Sequence, residues 1–317
     1  MGSYVCVLKR PGCADVRYPV AVPRRGHWRG VRPGETDPHP VWLPRTDEFG
    51  PDEVYVPAGW FRAGGEPAAH RAMAATDLWC DALVVGRFPV TNRQFVAFLD
   101  DLVAQGREEE ALRFAPRERG RDGEAGALIY GRSATGGFVL QADADGDVWS
   151  PEWPVMNVDW DGARGYLAWL AARTGRGWRL AGELEWEKAA RGVDGRRFPF
   201  GNHFDPSWSR IRPVWEGRVP RDIGPADVDT YPIDVSPYGV RGVAGNLMDW
   251  CLDTDGRVVD RIVVEPDPGE LGPLVPRAAR GGTWYSNERA LPTDRHLSEA
   301  RTRFPHYGIR GLHRPLG

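Results

Sequence analysis

The sequence predicts an α+β protein in which irregular structure outweighs both helix and strand. Three observations lead there. Gly (39) and Pro (28) make up about a fifth of the 317 residues, a density that forces frequent turns yet stays below that of a collagenous or disordered chain. Only three segments combine helical periodicity with start and stop signals. The remaining apolar stretches are strand-length runs cut short by Gly or Pro.

Residues 1–50 read as a short β-rich N-terminal segment with candidate strands at 3–8, 16–22 and 41–43, separated by turns at Pro11-Gly12, 24–30 and Pro33-Gly34. So few strands bury too little apolar area to stand alone. The segment is expected to dock on the main body, or to be the tail of an upstream domain. That body, 51–317, opens on a new strand signal at 54–56 and 58–61. Thr91 and Gln94 then have capping-box spacing, with Phe95, Phe98, Leu99 and Leu102 on one face and Gly106 as the stop. Residues 159–174 carry Ala163, Tyr166, Leu167 and Leu170 at helical spacing before Gly175. Residues 183–191 are acidic in their first turn and basic in their last, which suits the helix dipole, with Gly192 behind them. No repeat of 20–50 residues is evident.

The net charge is −3, so no global basic field argues for nucleic acid or an anionic membrane. Lys9 and Lys188 are the only lysines; a GC-rich genome explains the arginine excess more simply than phosphate binding does. No apolar run approaches the ~20 residues of a membrane span, and no secretory leader is visible. Cys6, Cys13, Cys80 and Cys251 form no CxxC pair, which argues against a disulfide scaffold or a four-thiolate zinc site. A cytoplasmic protein with reduced thiols is expected.

Asp143-Ala-Asp145-Gly-Asp147 reads either as a hairpin turn, the preferred reading, or as an oxygen-rich calcium loop lacking a closing Glu. The seven histidines show no HxxxH or HExxH spacing, and surface roles are expected for His296 and His306. Neither GxGxxG, GxxxxGK[ST] nor GxSxG is present. Fourteen tryptophans, six of them between 149 and 186, are expected to fill the core of a loop-rich domain, with a stacking platform as the alternative.

Several motifs occur together and in order: FPVTNRQF at 88–95, PVMNVDW at 154–160, RLAGELEWEKAARG at 179–192, FPFGN at 198–202, YGVRGVAGNLMDW at 238–250 and RGGTW at 280–284. Together they resemble the formylglycine-generating-enzyme, or sulfatase-modifying-factor, domain family, from about Val54 to Arg314. The resemblance implies a C-type-lectin-like core. The opening at 54–65 is similar to such domains where they follow bacterial serine/threonine kinases, and the chain itself holds no kinase motif.

Catalytic members of that family hold copper through two thiolates shortly after RGG. Ser286 and Leu291 stand at those positions here, and no cysteine comes after Cys251. A hydroxyl and an isobutyl group do not hold Cu(I), so no cofactor is required. The resemblance also implies a structural calcium around 242–249. Asp249 supplies a carboxylate there, while Gly242 replaces an Asp- or Asn-type residue, so Asp249 is the candidate ligand of a weak site. The same fold carries the variable proteins of diversity-generating retroelements, whose ligand surface lies after RGG. By that likeness Trp284, Tyr285, Ser286, Asn287, Arg289, Arg295, His296, Arg303, Phe304, His306 and Tyr307 form a ligand surface, of residue types that recur at binding hot spots. The other reading is that these residues close the fold. The expected function is non-catalytic binding of a protein partner. The alternatives are a related metal-dependent oxidase or oxygenase, and a sensor module of a bacterial kinase system.

Overall fold

A computed structural model describes residues 2–118, 126–143, 146–212, 224–254, 256–265, 267, 275–285 and 291–315. The architecture is α+β, with four α-helices among the described residues and short strands in several small sheets. No helix among the described residues is long and apolar enough to cross a membrane.

Residues Gly2–Leu8 (β1) and Val16–Val22 (β2) form an antiparallel hairpin. The expected strand at 41–43 does not form. Prolines at 40 and 44 bracket it, removing two ladder donors from a five-residue stretch. Trp42 instead packs edge-on against Phe49 and Tyr55, at 5.8 and 5.3 Å between ring centres. The N-terminal segment grips the body through Trp60, whose indole N–H donates to the Val31 carbonyl at 2.8 Å. The guanidiniums of Arg29 and Arg261 lie over the same indole, 4.0 and 4.8 Å from the ring centre.

The body strands begin with Glu53–Val56 (β3), Gly59–Ala63 (β4), Thr76–Cys80 (β5) and Leu83–Gly86 (β6). β3 pairs with β6, and β6 pairs in turn with the distant strand Gly311–His313, which also pairs with Arg179–Leu180. A second sheet runs Arg295–Ser298, Arg277–Arg280, Met248–Trp250, Tyr307–Gly308, and its last pairing is parallel. This sheet carries Arg295, His296 and Tyr307 of the candidate ligand surface, and Asp249.

Two of the expected helices form as their local signals dictate. Asn92–Ala104 (α1) is closed by the Thr91/Gln94 capping box, with Thr91 N–H donating to Gln94 Oε1 at 2.9 Å. A short second helix, Glu108–Phe114 (α2), comes next without a side-chain cap, which is why the sequence left it unread. Trp160–Thr174 (α3) starts on Asp159, which accepts from Gly162 N–H at 2.7 Å, and stops at Gly175 with φ of 67°. Phe95, Phe98 and Tyr166 from α1 and α3 join Trp149, Trp160 and Trp250 in the largest core cluster.

Glu183–Arg191 (α4) has the predicted bounds but not the environment its charges suggest. All nine residues are buried. Each charged side chain has specific hydrogen-bond partners, as burial requires; the glutamates have guanidiniums, Lys188 only carbonyls among the described residues. Glu185 takes a two-pronged contact from Arg179 at 2.8 and 2.9 Å and accepts from Gly182 N–H at 2.9 Å. Glu187 pairs with Arg191 and Arg280 and accepts from Gly64 N–H at 2.6 Å. Lys188 donates to the carbonyls of Pro57 and Cys80 at 2.7 and 2.8 Å.

Candidate functional site

The pleat of the second sheet decides which side chains can meet a ligand. Neighbours along a strand point to opposite faces, so Arg295 and His296 part company. Arg295 turns inward and clamps Glu183 with two contacts, Nε to Oε2 at 2.6 Å and Nη2 to Oε1 at 2.8 Å. Its cross-strand partner Arg280 reaches Glu183 from the same face at 2.9 Å. His296 takes the other face and stays half-buried.

Arg295 is therefore not an exposed ligand contact; it is 7% exposed and belongs to the buried ionic network. Tyr307 is likewise interior, 1% exposed, with its ring 4.6 Å from Trp250 and its hydroxyl 2.8 Å from Ser298 Oγ. Arg303 ties α2 to the start of α3, bonding Asp159 Oδ2 at 2.9 Å and the Ala115 carbonyl at 2.8 Å. Trp284 rests on the core and donates its indole N–H to the Pro305 carbonyl at 2.9 Å. Residues rich in area and hydrogen-bonding capacity suit interiors as well as interfaces, and here four of the eleven close the fold. Ser286, Asn287 and Arg289 lie outside the described residues.

Tyr285, Phe304, His306 and His296 come together. The His306 ring lies nearly parallel to Phe304 (5.0 Å, 11°) on one contact and to Tyr285 (5.8 Å, 14°) on another. Tyr285 is 53% exposed, and the Arg212 guanidinium lies 5.6 Å from its ring centre. His296 stands 6.5 Å from His306, and His70 stands 5.5 Å from His296. Burial, reinforced by His296, pushes the His306 imidazole down to about 4. It is neutral at neutral pH, and its buried Nδ1 has no hydrogen-bond partner among the described residues. The result is an aromatic platform edged by imidazoles and a guanidinium, suited to stacking and hydrogen bonding rather than to proton transfer.

Sequence reading missed His70 and Arg212. His70 comes from the loop between β4 and β5, held where Arg295 N–H donates to its carbonyl at 3.0 Å and its own N–H meets Asp294 Oδ1 at 2.5 Å. These partners are 224 positions apart, and no local pattern announces such a meeting.

The thiolate positions do not fit copper. Leu291 is 3% exposed and packs in an apolar cluster with Phe198, Ile211 and Ala244. Cys80 and Cys251 are both wholly buried, and burial pushes both thiols above their ordinary value. Asp249 is also engaged otherwise than expected. Its Oδ2 accepts from Trp186 Nε1 at 2.9 Å and from Arg310 Nε at 2.7 Å. Arg310 also donates to the carbonyls of Arg241 and Gly242 at 2.9 and 3.1 Å. A guanidinium thus faces the oxygens among which the resemblance implies a weak calcium site. No group of three His, Cys, Asp or Glu side chains among the described residues is arranged to hold a metal. Ala142 and Val148 pair as an antiparallel bridge, Asp143 Oδ1 accepts from Asp147 N–H at 2.9 Å and Oδ2 from Trp149 Nε1 at 2.9 Å, while Ala144 and Asp145 lie outside the described residues.

The sulfatase-modifying factor enzyme 1-like domain matches residues 40–315. A formylglycine-generating enzyme of Thermomonospora curvata is 29% identical over 275 residues, covering 78% of this chain and 87% of that protein. The mouse protein named inactive C-alpha-formylglycine-generating enzyme 2 is 29% identical over 272 residues, covering 77% and 80%. A serine/threonine-protein kinase, pkn1 of Chlamydia caviae, is 30% identical over 236 residues; the match takes in 74% of this chain but 33% of the kinase. Among solved structures, PvdO of Pseudomonas aeruginosa superposes with a TM-score of 0.59 at 19% identity, over 88% of this chain and all of that one. Treponema denticola variable protein 1 superposes at 0.56 and 17% identity, over 83% and 95%. These two likenesses concern the fold, which is the C-type-lectin-like one.

Proposed function

The chain belongs to the sulfatase-modifying factor enzyme 1-like domain family, and we propose that it is a binding member of it, recognising a protein partner rather than oxidising a cysteine. The observation that carries this reading is the replacement of the thiol pair: Ser286 and a core-packed Leu291 stand where copper ligands would be needed. The described residues also form the Tyr285–His306–Phe304 platform, with Arg212, His296 and His70 at its edges. Rigid aromatic rings with adjacent hydrogen-bonding groups give contact area at little cost in side-chain entropy. A family member named inactive, and a variable protein on the same fold, support the idea of a scaffold kept after, or apart from, the chemistry.

Copper-loaded protein given a Cys-x-Pro-x-Arg peptide and oxygen should leave the cysteine unchanged; catalytic conversion to formylglycine refutes the proposal. A reverse transcriptase gene beside a near-copy of the final coding segment, differing at adenines, would add diversification of the platform to the reading. The likeness to three Chlamydia kinases favours, as a second reading, a fixed sensor module in kinase signalling.

A further inference from the structure

A cleft of about 490 Å³ separates the N-terminal hairpin from the body. That is within the range of small-molecule sites, which favour junctions between structural units. Its walls are largely apolar and aromatic, with Tyr18 and Trp28 on the N-terminal side and Trp60 on the body side. The charges on its rim are mutually satisfied. Arg29 and Arg62 both contact Asp77, at 3.3 and 3.5 Å, and Asp194 holds Arg196 at 2.8 Å.

Two groups lining the cleft are left over. Tyr238 is only 4% exposed, and no described residue hydrogen-bonds its hydroxyl. Lys188 spends two N–H groups on the Pro57 and Cys80 carbonyls and has no carboxylate within ion-pair distance among the described residues. Burial of this unneutralised ammonium pulls it down to about 8, so at neutral pH it is still a cation. A buried cation without a counter-charge is costly and favours an anion brought to it. The aromatic walls ask for a flat apolar body. A donor hydroxyl and an ammonium ask for an acidic acceptor.

We propose that this cleft binds a small aromatic carboxylate, its ring against Trp60 and Tyr18 and its carboxylate toward Lys188 and the Tyr238 hydroxyl. The site is separate from the C-terminal platform and uses residues 2–29, which precede the family match. It is a small-molecule site built by the added segment.

Isothermal titration of the full chain with benzoate, and with benzamide as the uncharged counterpart, tests it. Saturable benzoate binding at least tenfold tighter than benzamide is expected. Tyr238→Phe should weaken benzoate about tenfold, the loss of one hydrogen bond to a charged group. Ala58→Leu, which adds bulk to the cleft wall, should abolish binding, and Tyr285→Ala at the platform should leave it unchanged. No saturable binding up to millimolar benzoate, equal affinity for the two probes, or benzoate binding that survives Ala58→Leu each overturns the proposal. If Tyr238→Phe does not fold, the benzamide ratio and Ala58→Leu decide.

Discussion

Replacing Arg295 with Ala separates the two readings of the C-terminal stretch. If Arg295 met a ligand from the surface, its loss would leave stability within about ±0.5 kcal/mol and weaken binding alone. The structure gives it another task. Its guanidinium holds both oxygens of Glu183, which is 0% exposed and otherwise has Arg280 for an ion partner. Breaking a buried pair from one side leaves the other charge undersatisfied and costs about 3–5 kcal/mol. At about 2.1 cal/mol/K per residue the unfolding entropy of 317 residues is roughly 0.7 kcal/mol/K, so the melting temperature should fall by about 4–7 °C. Differential scanning calorimetry reads this directly, with Tyr285→Ala as the exposed comparison, expected to move the midpoint by less than about 1 °C. An Arg295→Ala protein that melts within 1 °C of the parent would refute the inward-facing assignment and return the residue to the surface.

His306 is neutral in the fold and its imidazole should resist protonation down to about pH 4 in NMR titration. Because the unfolded chain takes up that proton near pH 6.5, His306 contributes stability that is fully present above about pH 6.5. Up to about 3 kcal/mol is lost as pH falls toward 4, and His306→Phe should flatten that limb of the pH–stability curve. Lys188 shifts the same way, from 10.5 to about 8. The unfolded chain binds the extra proton between those values, so this residue's contribution rises with pH across the window. Urea midpoints of the parent and Lys188→Met, compared at pH 7.5 and 10, isolate it from Cys80, whose raised thiol acts in the opposite sense. EDTA should move the melting temperature by less than about 2 °C, since Arg310 faces the oxygens around Asp249; a larger drop reversed by calcium would contradict this, because a tightly held ion stabilises by mass action.

What could be read from the sequence was what is decided locally. The capping box at Thr91 and the stop at Gly175 depend on residues three or four positions apart, and each behaved as expected. α4 had legible bounds but gave no local sign of its burial, because the partners that neutralise its glutamates, Arg280, Arg295 and Arg179 among them, come from elsewhere in the chain. The same blindness affected the site. The type and position of Arg295 suggested recognition, and only the register with Arg280 across the sheet fixes its direction. His70 and Arg212 reach the platform by tertiary contact alone.

The pairing of Gly311–His313 between β6 and Arg179–Leu180 has a bearing on biosynthesis. Arg310, at the root of that strand, bonds the Gly86 carbonyl 224 positions earlier. While the chain is being made, β3 and β6 emerge from the ribosome long before the strand that completes their sheet. Until then the apolar residues of β6, all but fully buried in the finished fold, have no permanent cover. Closing so long a loop is also slow. Nascent chains of this protein therefore pass through a long stage with exposed strand edges and heavy exposure to chaperones and proteases, and a stop codon just before the last strand would be felt throughout the body rather than at its end.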